Sequence, residues 1–178
     1  MRKFLFPGLG LGLFAFVLSF ALNASIQRII EGIPLYFGLP LFLFVVAVGI
    51  LTDALGLACT RASEKALLSM ASRKIKGAKE SVWFVRNASR MSSVFNDVMG
   101  DVSATLSGAL AVAIVYKLKG AFPGVSALFL TSASVACASF LTIGGKAVVK
   151  PLALKQSNSI VLILGKIRRF FLGFGREG

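Results

Sequence analysis

Apolar residues in this chain come in long unbroken blocks, separated by polar stretches that carry most of the charge. Four blocks stand out, at residues 4–22, 37–57, 94–116 and 125–143. Each is close to the roughly 20 apolar residues that a helix needs to cross a hydrocarbon core about 30 Å thick. Between the second and third blocks, Ala66, Leu67, Met70 and Ala71 recur at helical spacing, as do Val82 and Val85 beside Trp83 and Phe84. That rhythm, set among basic residues, predicts one or two amphipathic helices over residues 61–92 lying at a membrane surface, with Gly77 as the break. A second juxtamembrane helix is expected over 151–169; the apolar stretch from Ile160 is too short and too basic to span. The expected fold class is therefore all-α: a polytopic integral membrane protein with four transmembrane helices plus amphipathic juxtamembrane helices.

The connections follow from the punctuation. Residues 1–34 form an extra N-terminal helix and a short external connection, 35–169 the main transmembrane domain, and 170–178 a basic tail. The first block fits a retained helix better than a cleaved signal peptide, because it is long for a signal and lacks a good Ala-x-Ala site near Ala21 or Ala24. Its Gly8 and Gly12 make a Gly-x-x-x-Gly match, which a glycine-rich helix start also produces by chance. Residues 23–34 read as a polar connection with Arg28 and Glu31, and 117–123 as a tight one with Gly120 and Pro123. Pro40 falls in the first turn of the second block, where proline is tolerated. The fourth block is rich in Ser, Ala and Thr, which suits a closely packed internal helix. Gly144-Gly145-Lys146 is expected to interrupt it, and Pro151 disfavours helix at Lys150.

Composition strengthens the membrane reading. The chain is 56% hydrophobic, with sixteen Phe and a mean hydropathy of +0.83. A soluble domain is roughly 45–50% apolar even with glycine counted. The net charge of +13 would suggest nucleic acid in a soluble protein. Here the cations sit between apolar blocks, so membrane orientation and attraction to anionic headgroups explain them more simply, and no nucleic-acid partner is expected. All Lys and Arg except Arg28, Lys117 and Lys119 fall at the N-terminus, in 60–93 or in 144–178. The positive-inside rule then puts both termini in the cytoplasm, across a cell (inner) membrane. Histidine is absent, and Cys59 and Cys137 are isolated. Hydrolase and zinc chemistry start with little support, no nucleophile–base arrangement is recognisable, and no enzyme is expected.

The acids are the candidate chemistry. Asn96, Asp97, Gly100, Asp101, Ser103 and Thr105 sit near the start of the third block. Asp97 and Asp101 lie one helical turn apart, and acids inside a span are a functional-site candidate by default. Asp53 lies near the far end of the second block, either reaching the interface or facing inward. The matches to a glycosylation pattern at Asn23 and Asn87 are short and common.

Residues 37–169, about three-quarters of the chain, resemble the transmembrane domain of the CorC/CNNM magnesium-transport family. A span leads into a Ser-Gly-Ser-Glu-Thr-Ala-Leu-like motif, here Arg61-Ala62-Ser63-Glu64-Lys65-Ala66-Leu67. A later span carries a Gly-Asn-x-x-x-Asn-like motif, here Gly100-Asp101-Val102-Ser103-Ala104-Thr105. Then comes a Gly-Glu-x-x-Pro-Lys-like motif, here Gly145-Lys146-Ala147-Val148-Val149-Lys150 followed by Pro151. The resemblance implies a homodimeric domain with an ion site near mid-bilayer, at positions that are Arg61, Asp101, Thr105 and Lys146 here. It implies Mg²⁺ or Na⁺ as the ion and Asp101 and Thr105 as metal-ligand candidates, to which the reading of the acids in the span adds Asp97. An arginine and a lysine at two of those positions depart from the family pattern, and the cytoplasmic CBS modules of the family have no counterpart in this sequence.

Those departures suggest charge partners in place of a metal: Asp53, Asp101, Lys146 and Arg61. One reading has the Lys146 ammonium pairing with Asp101, with Asp97 as a second acid; the other has Lys146 snorkelling to the interface. Three functions follow as expectations. The chain is a cation transporter or channel with an altered site. Alternatively, it is a non-transporting relative acting as a membrane scaffold or as the partner subunit of a larger transporter. A third alternative is a small holin-like or lipid-binding protein, which would have no need of paired acids.

Overall fold

A computed structural model describes residues 2–32, 34–119 and 124–174. It is all-α, with no strand among the described residues. Four helices are long and apolar enough to cross a membrane: Gly8–Ile26, Tyr36–Arg61, Ala88–Leu118 and Ala127–Lys155. The chain is a polytopic membrane protein of the class its hydrophobic blocks predict.

The elements run α1 (Arg2–Gly32), α2 (Leu35–Arg61), α3 (Glu64–Ser72), α4 (Ala78–Arg86), α5 (Ala88–Ser92), a π-helical segment (Ser93–Gly100), α6 (Asp101–Leu118), α7 (Ala127–Lys155) and α8 (Ser157–Phe174). Several boundaries differ from the sequence expectation. The polar stretch from Asn23 continues α1 to Gly32 instead of leaving it. It holds no proline or glycine before that point, and the Ser25 hydroxyl donates 2.8 Å back to the Ala21 carbonyl, keeping the ladder satisfied. Gly144-Gly145-Lys146 does not interrupt α7, and Pro151 lies inside it. Glycine weakens helices through backbone entropy and exposed backbone, and in a span the lack of water to satisfy an opened backbone favours keeping the helix closed. A Cβ on Gly145 would also run into Ile50 Cδ1, so the missing side chain is what lets α7 approach α2 there. Pro151 removes one N–H, and the turn beyond it is held by Ala153, only 1% exposed. The 117–123 connection lies partly outside the described residues, at 120–123, and so do the last residues of the tail, 175–178.

Two compact units divide the chain: Met1–Ile50 with Val98–Gly145, and Leu51–Asp97 with Lys146–Gly178. In the first, Phe42, Val45 and Val46 of α2 meet Val102, Leu106, Leu110 and Ala111 of α6 and Ala138 of α7. Gly38 and Gly49 let the helices close in: a Cβ on Gly38 would stand 3.3 Å from Ile114, and one on Gly49 3.0 Å from Ser103. α1 packs against α6, while Phe14, Phe16 and Phe20 stay exposed. An apolar cavity of about 310 Å³ lies among Leu18, Leu22, Val45, Val48, Val102 and Leu106. Ser126 opens α7 as its N-cap, accepting from Phe129 N–H at 3.2 Å.

The second unit is built on the end of α2. Ala58, Cys59 and Ala62 pack with Leu67 of α3, Val82 and Phe84 of α4 and Val161 of α8. Ser63 caps α3 through its side chain, and its own N–H donates 2.7 Å to Asn158 Oδ1 at the start of α8. α3 ends in a Schellman turn: Lys74 N–H reaches Ala71 O at 3.0 Å and Ile75 N–H reaches Met70 O at 3.1 Å. The left-handed residue of that turn is Lys74, at φ 57°, where glycine is usual. The break between the two amphipathic helices thus begins at Arg73 and closes at Gly77, which is itself left-handed at φ 85°. α4 and α8 cross at glycine: a Cβ on Gly165 would collide with Ser81 Oγ and Gly77 O, and one on Gly77 would sit 2.6 Å from Lys166 N. At that crossing the fully buried Ser81 hydroxyl donates to the Gly77 carbonyl (2.7 Å) and also lies 3.1 Å from the Val161 carbonyl.

Candidate functional site

Asp53 and Lys146 come together in the second unit, from α2 and α7. Lys146 Nζ lies 3.5 Å from Asp53 Oδ1, and each side chain is about a quarter exposed, at 26%. The ammonium that the sequence reading set beside Asp101 is therefore beside Asp53. The physical reason is the continuity of α7 through Gly144-Gly145: an unbroken helix carries Lys146 at a fixed rotation, whereas a break would have freed it. Thr142, one turn earlier on α7, is buried and turns its hydroxyl back to Ala138 O at 2.8 Å. The pair is electrically neutral as a whole and leaves Asp53 one oxygen for further contacts.

The remaining predicted site residues are placed differently. Asp101 and Arg61, expected as buried charge partners, are both exposed. Asp97 is exposed as well and belongs to the second unit, whereas Asp101 and Thr105 belong to the first. Thr105 is exposed, and its hydroxyl donates 2.9 Å to the Asp101 carbonyl. Its hydrogen is therefore committed to its own helix. Among the described residues no group of three or more His, Cys, Asp and Glu side chains gathers where a metal could be held.

Sequence reasoning missed the winding of this region. Residues 93–100 are π-helical, so the backbone gains about one residue relative to α geometry just where Asn96, Asp97 and Gly100 lie. Such segments are rare and often occur at functional sites. The Asn96 carboxamide is driven against Gly56 of α2: a Cβ on Gly56 would overlap Asn96 Oδ1 and stand 3.2 Å from Phe95 Cβ. Asn96 Nδ2 donates 3.3 Å to Ser92 Oγ, and its Oδ1 is buried with no hydrogen-bond partner. Gly56, the third glycine of the second block, was the signal in the sequence. α6 beyond the π segment borders a cavity of about 650 Å³ whose lining includes Thr105, Gly108, Val112, Tyr116, Lys117 and Val135.

Tested for Mg²⁺, these residues fit poorly. Magnesium wants near-octahedral oxygen ligation. Asp53 is taken by an ammonium, Asp97 and Asp101 are exposed and fall in different units, and among the described residues no three such ligands gather. A scan against protein-family models and searches of curated proteins and of solved structures each found no match.

Proposed function

We propose that this protein is a non-transporting relative of CorC/CNNM transmembrane domains, working in a cell (inner) membrane as a scaffold or as the partner subunit of a larger transporter. The observation that carries the proposal is the Lys146–Asp53 pair. A fixed ammonium beside the acid does what a bound cation would do, without a cation that can leave. Both termini face the cytoplasm in this reading, which places the basic second unit on the side where positive charge is retained. Exposed Asp97 and Asp101 on a membrane-crossing helix are expensive in lipid, by about 2.5–3.5 kcal/mol each on insertion scales. A second copy of the chain or another transporter subunit covering them removes that cost.

Cation transport through an altered site, with Mg²⁺ or Na⁺ as the ion, is the second reading. It is favoured by the π-wound backbone at Asn96 and Asp97 and by the partnerless Asn96 carbonyl oxygen. The two readings separate in proteoliposomes loaded with a Mg²⁺-sensitive or Na⁺-sensitive dye. The scaffold reading expects ion entry no faster than in protein-free vesicles. Protein-dependent entry that is lost in Asp101→Asn overturns it in favour of transport.

A further inference from the structure

α8 turns one face inward and exposes another. Its inner face, with Val161 and Gly165, is buried against α4. The outer face carries Ile163, Ile167, Phe170 and Phe171, which are 48–70% exposed. Lys166 and Arg169 stand exposed on the same helix. The close approach of α4 and α8 at Gly77 and Gly165 sets which face of α8 is buried. The charge around it is one-sided. Lys74, Lys76 and Lys79 are exposed on the neighbouring turn and helix. Of the two acids in α3 and α4, Glu64 is already bonded to Arg86 at 2.8 Å.

We infer that the outer face of α8 is a docking surface for an anionic phospholipid leaflet, with the four apolar side chains entering the acyl boundary and Lys166 and Arg169 meeting the headgroup phosphates. Charge complementarity selects this occupant. Lys166 and Arg169 beside the stripe would meet phosphates on an anionic leaflet. A helix with bulky apolar residues on one side and Lys and Arg beside them has the pattern of an interfacial helix. Each basic residue near an anionic surface strengthens attachment about fivefold. The inference concerns lipid recognition by the second unit alone and holds whether or not the chain moves ions.

The molecule carries its own reporter. Trp83 of α4 is the single tryptophan, is 38% exposed, and lies under the Arg168 guanidinium of α8 at 4.0 Å from the ring centroid. Full-length protein would be reconstituted in nanodiscs of phosphatidylcholine containing a tracer of tail-brominated phosphatidylcholine, with and without phosphatidylglycerol. Bromine quenches tryptophan at short range. Quenching of Trp83 is expected to be stronger with phosphatidylglycerol and to fall back at high salt, because screening acts on surface charge. In Lys166→Gln/Arg169→Gln attachment should weaken roughly 25-fold, so the phosphatidylglycerol-dependent part of the quenching is expected to be lost. The urea midpoint of Trp83 emission, read on the same variant, reports whether the module remains folded. Quenching that is indifferent to lipid charge overturns the inference, as does a lipid response that survives in the folded double variant. A Trp83 response to inorganic phosphate in phosphatidylcholine discs that equals the response to phosphatidylglycerol also overturns it, by assigning the cations to a soluble anion. If the double variant unfolds, Phe170→Ser/Phe171→Ser decides: the inference requires reduced quenching, and unchanged quenching refutes it.

Discussion

Removing one member of the Lys146–Asp53 pair should damage the protein far more than removing both. At 3.5 Å, the gross attraction is about 5 kcal/mol at an effective dielectric near 20. Desolvation takes back much of it, since each side chain is about three-quarters hidden from solvent. What survives is the asymmetry. Lys146→Met leaves an unpaired carboxylate between helices, and breaking such a pair costs about 3 kcal/mol, the lower end for fully buried pairs. Asp53→Asn is milder, about 1–2 kcal/mol, because the amide still accepts a hydrogen bond and the lysine stem can extend toward the interface. The double variant is close to neutral, so the two single costs, about 4–5 kcal/mol together, appear almost wholly as coupling. On the usual scale for chains of this length, Lys146→Met then lowers Tm by about 6–12 °C. Purified full-length variants would be heated in detergent and the monodisperse fraction followed by size exclusion. A parallel cycle replaces Asp53→Asn with Asp101→Asn. The reasoning fails if the Lys146 and Asp53 effects simply add within about 0.5 kcal/mol, or if the coupling appears with Asp101 instead.

Two further substitutions probe the second unit through urea denaturation read by Trp83. Gly165→Ala should destabilise the α4–α8 crossing by about 2 kcal/mol, since the new methyl meets Gly77 and Ser81 backbone that cannot swing aside; Gly8→Ala, where a Cβ meets nothing within 4 Å, should cause no loss, and equal behaviour of the two would refute the close crossing. Lys74→Gly should raise the midpoint slightly, by at most about 1 kcal/mol, because it relieves a left-handed lysine while loosening the unfolded chain; a fall in the midpoint would mean that the Lys74 side chain makes a contribution larger than the strain.

How much was legible in the sequence depended on the range of the interaction. The spans were visible because burial in lipid acts on every residue of a block at once, and a run of about 20 apolar side chains needs no knowledge of its neighbours. The amphipathic character of α8 was visible for the same reason: its Lys and Arg interrupt the block locally. Glycine and proline were misleading at 144–151, where rules drawn from water-exposed helices met an apolar environment that keeps backbone hydrogen bonds closed.

The candidate site was legible in its residue types and not in its pairings. Asp53, Asp97, Asp101 and Lys146 stood out as charges in or beside apolar blocks, a property of the chain alone. Which acid meets the lysine is fixed by the rotation of α7 against α2, and a rotation of one residue changes the answer by about 100°. Within the π segment Ser93–Gly100, Asn96 packs against Gly56, forty positions away, where a side chain would leave it no room. The sequence by itself determined the solvent of each segment, because hydrophobicity is additive along the chain. Only the tertiary structure decided which charge is paired, which glycine is a crossing point and which face of α8 is left open, because those depend on directional contacts between segments distant in sequence.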